Sequence, residues 1–198
     1  MIHGGMQIGD PLDCEVLRII GEEPRFDAPM RGFLQTQRAE LGAALERGGL
    51  LDAASLGHET AWLYRLTFRT KGLTHTQENG PPKVTERHDF ALRFLPEYLR
   101  AANRFAMLLR IGPCDCPAFH PNIAPTGAVC VEIYSGEPLV AIALSLHDLI
   151  RGKLRNVRET DCLNPAACSF YRNHVERPLD DRPLFGSRAR IRLEKVSP

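Results

Sequence analysis

His120-Pro121-Asn122-Ile123-Ala124-Pro125-Thr126-Gly127-Ala128-Val129-Cys130 sets a cysteine ten residues after the histidine of a His-Pro-Asn turn, with Pro125, Gly127 and small side chains between. Proline and asparagine favour a reverse turn, and a loop of small residues leaves a thiol beyond it exposed. Val131-Glu132-Ile133-Tyr134 then reads as a short strand or turn leading towards a helix. A single cysteine is more often a small buried apolar residue than a nucleophile. The weight therefore rests on the spacing and on what flanks it.

The chain has 198 residues, 43% of them hydrophobic, enough for one globular domain with an elaborated end. A chain of this size buries roughly 70% of its unfolded surface and needs no disulfide or metal staple. A net charge of +1 gives no global case for nucleic acid or a membrane surface as partner. The first residues lack a charged start followed by an apolar core, and no apolar run reaches the length of a membrane span. These features point to a cytoplasmic protein, in which the six cysteines are reduced thiols. Arginine far outnumbers lysine, a bias that suits a GC-rich bacterial genome.

Residues 1–29 form an N-terminal extension punctuated by Gly4-Gly5, Asp10-Pro11 and Glu23-Pro24, with one apolar patch at Val16, Leu17, Ile19 and Ile20. From Met30 to Arg47, Leu34, Leu41, Ala44 and Leu45 fall at helical spacing and Gly48-Gly49 supplies a stop. Trp62, Tyr64, Leu66 and Phe68 alternate with mostly polar residues, as in a half-buried strand. Residues 71–87 read as a polar loop, because Asn79-Gly80-Pro81-Pro82 cannot continue a strand. A second strand from Asp89 to Leu95 places Phe90, Leu92 and Phe94 on one face. A third, Arg104 to Ile111, groups Phe105, Met107, Leu109 and Ile111. The three together predict an antiparallel meander with one face covered.

Beyond Cys130, Leu139, Ile142, Ala143, Leu146, Leu149 and Ile150 predict a helix over 139–152, with Pro138 well placed at its start. Asn164-Pro165 predicts another through about Asn173. Arg188-Ala189-Arg190-Ile191-Arg192-Leu193 alternates like a late strand within a tail of 179–198. The order is helix, strands, irregular cysteine loop, helices, which makes an α+β domain.

The cysteine segment resembles the active-site stretch of the ubiquitin-conjugating enzymes, where His-Pro-Asn precedes the thioester-forming cysteine at this interval. Phe90-x-Leu92-x-Phe94-Leu95-Pro96-Glu97-Tyr98 is similar to the family's strand and tyrosine turn. Asp161-Cys162-Leu163-Asn164-Pro165 is similar to the stretch that brings an acidic residue near the cysteine. The resemblance spans residues 30–178 and implies a ubiquitin-conjugating-like catalytic domain. Leu99-Arg100-Ala101-Ala102-Asn103 lacks the family's double proline, and Ser135-Gly136-Glu137-Pro138 lacks its tryptophan loop. Both loops form the family's ligase-docking surface, so their loss argues against an ordinary ligase. The basic tail stands where the family has terminal helices. The resemblance as a whole implies a divergent bacterial relative in phage-defence systems, alongside an activating enzyme, a ubiquitin-like protein, its metalloprotease and a target protein, with no cofactor.

Within that resemblance Cys130 is the nucleophile. Asn122 either donates its amide to an oxyanion or ties down the loop through backbone bonds. Asp161 either orients and deprotonates the incoming amine or is a solvated residue before a helix cap. His120 fixes the turn, with Pro121 and Gly127 supporting it. A zinc site of Cys114, Cys116, His120 and Cys130 has the wrong spacing and would consume the nucleophile. A zinc deaminase would need Pro-Cys-x-x-Cys and an upstream His-x-Glu, both missing. A thiol hydrolase would need His147 or His174 as base, yet both fall in predicted helices. A non-catalytic binding module on the same scaffold is the rival from another class, and the presence of Cys130 weighs against it.

Overall fold

The computed structural model describes residues 24–56, 60–75, 81–112, 117–156 and 158–186. Asp27 starts helix α1 (Ala28–Leu45): its carboxylate accepts from the Met30 backbone N–H at 2.9 Å, and Pro29 sits in the first turn, where no N–H is missed. Met30, Leu34, Gln37, Leu41 and Ala44 form the buried stripe. Gly48, at φ +68°, takes the left-handed conformation just past the helix.

Strands β1 (Leu51–Ser55), β2 (Leu63–Phe68), β5 (His88–Arg93) and β6 (Leu108–Gly112) make an antiparallel four-stranded sheet in the order β1-β2-β5-β6. Leu66 pairs with Phe90 and Tyr64 with Leu92, so the alternating large residues share one face. Tyr64, Leu66, Phe68, Phe90, Leu92 and Phe94 are all buried, and the Phe68 and Phe90 rings meet edge to face at 5.7 Å. Helix α3 (Leu139–Ile150) joins the same core through Leu139, Ile142, Ala143, Leu146 and Leu149.

The expected α+β order holds, with three local departures. The stretch from Arg104 is not strand throughout: Asn103 caps Ala106 at 3.3 Å and opens a one-turn helix α2 (Arg104–Met107) before β6. Met107 and Leu108 are therefore buried while Phe105 is 51% exposed. The polar stretch 71–87 is not a plain loop but carries the hairpin strands β3 (Gly72–His75) and β4 (Pro82–Thr85). Pro82 is tolerated because it is the first residue of its strand. Val131–Tyr134 forms no strand and leads into a turn at Ser135-Gly136.

Helix α4 (Pro165–His174) starts as the sequence predicts, with Asn164 capping Ala167 at 3.1 Å. Sequence flanking the expected 30–178 domain also packs on it. Phe26 lies 6.5 Å from the Trp62 ring, Leu184 is buried, and the Leu50 N–H donates to the Leu184 carbonyl at 2.8 Å. The apolar patch at 16–20 and the alternating tail at 188–193 lie outside the described residues. No helix among the described residues is long and apolar enough to cross a membrane.

Pro138 gives α3 no side-chain cap, and Gln37 of α1 supplies one from outside. Its buried amide oxygen accepts from the Leu139 N–H at 2.7 Å. Gln37→Leu keeps the volume and strands that donor, which should cost about 1–3 kcal/mol. The expected outcome is a lower urea midpoint with an unchanged m-value.

Candidate active site

The His-Pro-Asn turn is held from three sides. Nδ1 of His120 accepts from the Asn122 backbone N–H at 3.1 Å, closing the turn on itself. The Pro121 carbonyl accepts from Leu163 at 2.8 Å and Asn164 at 3.3 Å, fastening the turn to the entry of α4. Tyr171 of α4 packs its ring against that of His120 with centroids 5.0 Å apart. Burial pushes the His120 pKa down to about 3, helped by the charges of His88 and Arg155. The ring is therefore neutral, and with Nδ1 accepting, its proton sits on Nε2.

Gly127 has φ +90°, and a Cβ there would lie 2.5 Å from the Arg110 carbonyl. Its own carbonyl accepts from the Arg110 N–H at 2.9 Å. Glycine lets the loop lie flat on β6, and that contact sets where Val129 and Cys130 emerge. Cys130 is half-buried, and its N–H donates to the Asn122 carbonyl at 2.8 Å.

Cys130 and Asn122 line a cleft of about 560 Å³. Glu132, Tyr134 and Glu137, which follow Cys130 in the chain, and Leu154, Arg155 and Asn156, which follow α3, also line it. The Asn122 side chain spans the floor. Its Nδ2 donates to the Cys130 carbonyl at 3.0 Å, and its Oδ1 accepts from the Asn156 N–H at 2.8 Å. The loop-tying role of Asn122 is thus present, and a second N–H on Nδ2 is left to donate.

Asp161 stands apart from that group. It is exposed in a 3-10 turn (Glu159–Asp161) and does not line the cleft, though its carbonyl accepts from the Asn156 side chain at 3.0 Å. Two more residues that line the cleft, Glu132 and Tyr134, lie outside the sequence motif. The Tyr134 hydroxyl, on a side chain that is 67% exposed, donates to Glu132 at 3.0 Å. That carboxylate pushes the phenol's pKa up. Their place two and four residues after Cys130 was the available signal, whereas nothing in the sequence marks Asn156.

Neither His147 nor His174 lines the cleft. His147 is buried in α3, where desolvation lowers its pKa, and His174 stacks on Phe170 at 4.6 Å. Among the described residues no group of three or more His, Cys, Asp or Glu side chains is placed to hold a metal ion. Cys114 and Cys116 lie outside those residues.

No family model matches the sequence. A structure described as a "Novel Ubiquitin-Conjugating Enzyme" aligns with a TM-score of 0.51 and 16% identity, over 72% of this chain and 84% of that one. Ubiquitin conjugating enzyme E2 UbcA1 from Agrocybe aegerita aligns at 0.43 and 14%, over 76% and 97%. The first of these likenesses defines the class: the chain has the α+β fold of the ubiquitin-conjugating enzymes. At this identity the likeness is one of fold, carried on a widely diverged sequence.

The buried histidines set an acid limit on stability. Burial and Arg110 lower the His88 pKa to about 4, and His120 is at about 3. An unfolded histidine titrates near 6.5. Below that pH the unfolded chain takes up protons that the folded one refuses, so stability falls as pH drops. The decline runs from about pH 6.5 to about 4 for His88 and about 3 for His120, at up to about 1.4 kcal/mol per pH unit for each ring. Urea unfolding at several pH values should show a shallower acid slope in His120→Asn than in the parent.

Proposed function

We propose that the chain is a conjugating enzyme: it accepts a ubiquitin-like protein from an activating enzyme as a thioester on Cys130 and passes it to an amine on a target protein. The observation that carries this reading is a half-exposed thiol in a cleft that is also lined by a side-chain amide bonded to the cysteine's own backbone carbonyl, within this fold.

Loading is thiol exchange. The Cys130 thiolate attacks the thioester carbonyl, a new C–S bond forms, and the activating enzyme's cysteine leaves as its thiolate. One thioester replaces another, so the step is nearly isoenergetic and needs access more than a strongly acidic thiol. Transfer then requires a neutral amine to attack the same carbonyl. The oxyanion that develops takes the remaining N–H of Asn122, the nitrogen gives up one proton to water or to Asp161, and collapse breaks the C–S bond, expels the Cys130 thiolate and leaves an amide. Asp161 is assigned to orienting or deprotonating the incoming amine from its exposed turn behind Asn156. His120, Pro121 and Gly127 support the turn and its loop.

No cofactor is needed on this route. A ligase is not assigned, because the loops expected to dock one have lost their characteristic residues. In this reading the setting is a bacterial cytoplasm, in a defence pathway of the kind the resemblance implies.

Incubation with its activating enzyme, ubiquitin-like partner and ATP should give an adduct cleaved by excess thiol, and Cys130→Ala should give none. An adduct on Cys130→Ala would overturn the assignment. Tight partner binding without any adduct would favour a non-catalytic module. Asn122→Ala should slow amide formation about a hundred- to a thousandfold, as loss of one oxyanion donor does elsewhere, while loading changes far less. Single-turnover discharge of preformed adduct to free lysine separates the two steps.

A further inference from the structure

We infer that Asn156 is a positioning residue for Asn122: it fixes which way round the Asn122 amide stands, so that the NH2 end, not the oxygen, faces the reacting carbonyl. This rests on the reading that Cys130 carries the thioester.

The two ends of a carboxamide have nearly the same shape, so only their hydrogen-bond partners decide its orientation. On one side the Cys130 carbonyl can only accept, which selects Nδ2 at 3.0 Å. On the other the Asn156 N–H can only donate, which selects Oδ1 at 2.8 Å. Remove the second partner and a flipped amide, with its oxygen towards the oxyanion, loses much less than before. Such a flip would turn a stabilising donor into a repelling acceptor at the point where negative charge develops.

The Asn156 N–H is held in place by its own side chain. Oδ1 accepts from the Arg158 N–H at 3.0 Å, the side-chain-to-backbone bond two residues on that makes asparagine a turn former. Nδ2 donates to the Asp161 carbonyl at 3.0 Å, drawing the 3-10 turn back onto the cleft wall. The Asn156 carbonyl accepts from the Cys168 thiol of α4 at 3.6 Å. Asn156 also lines the cleft itself, so this brace stands beside the reacting groups.

The test pairs a double-mutant cycle with a spectroscopic readout. In single-turnover discharge to free lysine, Asn156→Ala should lose roughly tenfold to a hundredfold, with loading slowed at most about twofold. Asn156→Asp keeps the acceptor for Arg158 but cannot donate to Asp161, and should fall between. In an Asn122→Ala background, Asn156→Ala should cost nothing further, because its effect passes through an amide no longer there. The same loss in both backgrounds would overturn the inference, as would equal loss of loading and discharge. The side-chain NH2 signals of Asn122 in an 15N–1H spectrum, assigned by their disappearance in Asn122→Ala, report on the amide with no partner protein present. They should shift or broaden in Asn156→Ala, and unchanged signals would overturn the inference. If the parent protein forms no adduct at all, the conjugating function fails while these signals still decide the orientation.

Discussion

An irregular segment that runs through the interior must find a partner for each of its peptide groups, since burying one unpaired costs as much as a lost hydrogen bond. Residues 117–130 are such a segment, and their partners set the architecture around the cysteine. Phe119 donates to Leu73 on β3, Pro121 accepts from the entry to α4, Gly127 accepts from Arg110 on β6, and Cys130 donates to Asn122 within the loop. The first three of these anchors lie on β3, at the entry to α4 and on β6, elements fixed by apolar packing. The loop is thus held in one geometry by backbone bonds without being helix or strand.

The same segment shows why an uncharged histidine belongs beneath the site. A charged ring in that position would be desolvated beside Arg155 and His88, with no carboxylate to compensate. A neutral one uses Nδ1 as an acceptor and its ring as packing surface for Tyr171.

Much of this was legible in the sequence where the physics is local. Met30, Leu34, Leu41 and Ala44 announce a helix face, and Tyr64, Leu66, Phe68, Phe90 and Leu92 announce paired strands, because burial imposes its period directly. Asn164-Pro165 announces a cap. The hairpin β3–β4 was hidden by Pro82, whose tolerance depends on its being first in its strand. Asn103 turned the start of an expected strand into a helical turn by capping Ala106. Strand β1 is alanine-rich and short, and has little pattern to show. At the site, Cys130, Asn122 and His120 could be picked out from spacing and resemblance. Asn156 could not, because the group it offers to Asn122 is a backbone N–H that every residue but proline has. Asp161 was chosen for its type and position in the chain, and its place outside the cleft depends on a turn whose bonds are made by a neighbour.

The hairpin between β2 and β5 has a wider meaning. Its inner strand gives the Leu73 carbonyl to Phe119, and its His75 N–H to the Pro117 carbonyl at 2.9 Å, so it is stitched to the approach to the cysteine loop. Leu73 also shares a small apolar cluster with Phe119 and Tyr171. What looks along the chain like a surface excursion is a rib. An insertion within β3 would slide Phe119 and, one residue later, the histidine. A change of length in β3 therefore carries through to the loop it braces.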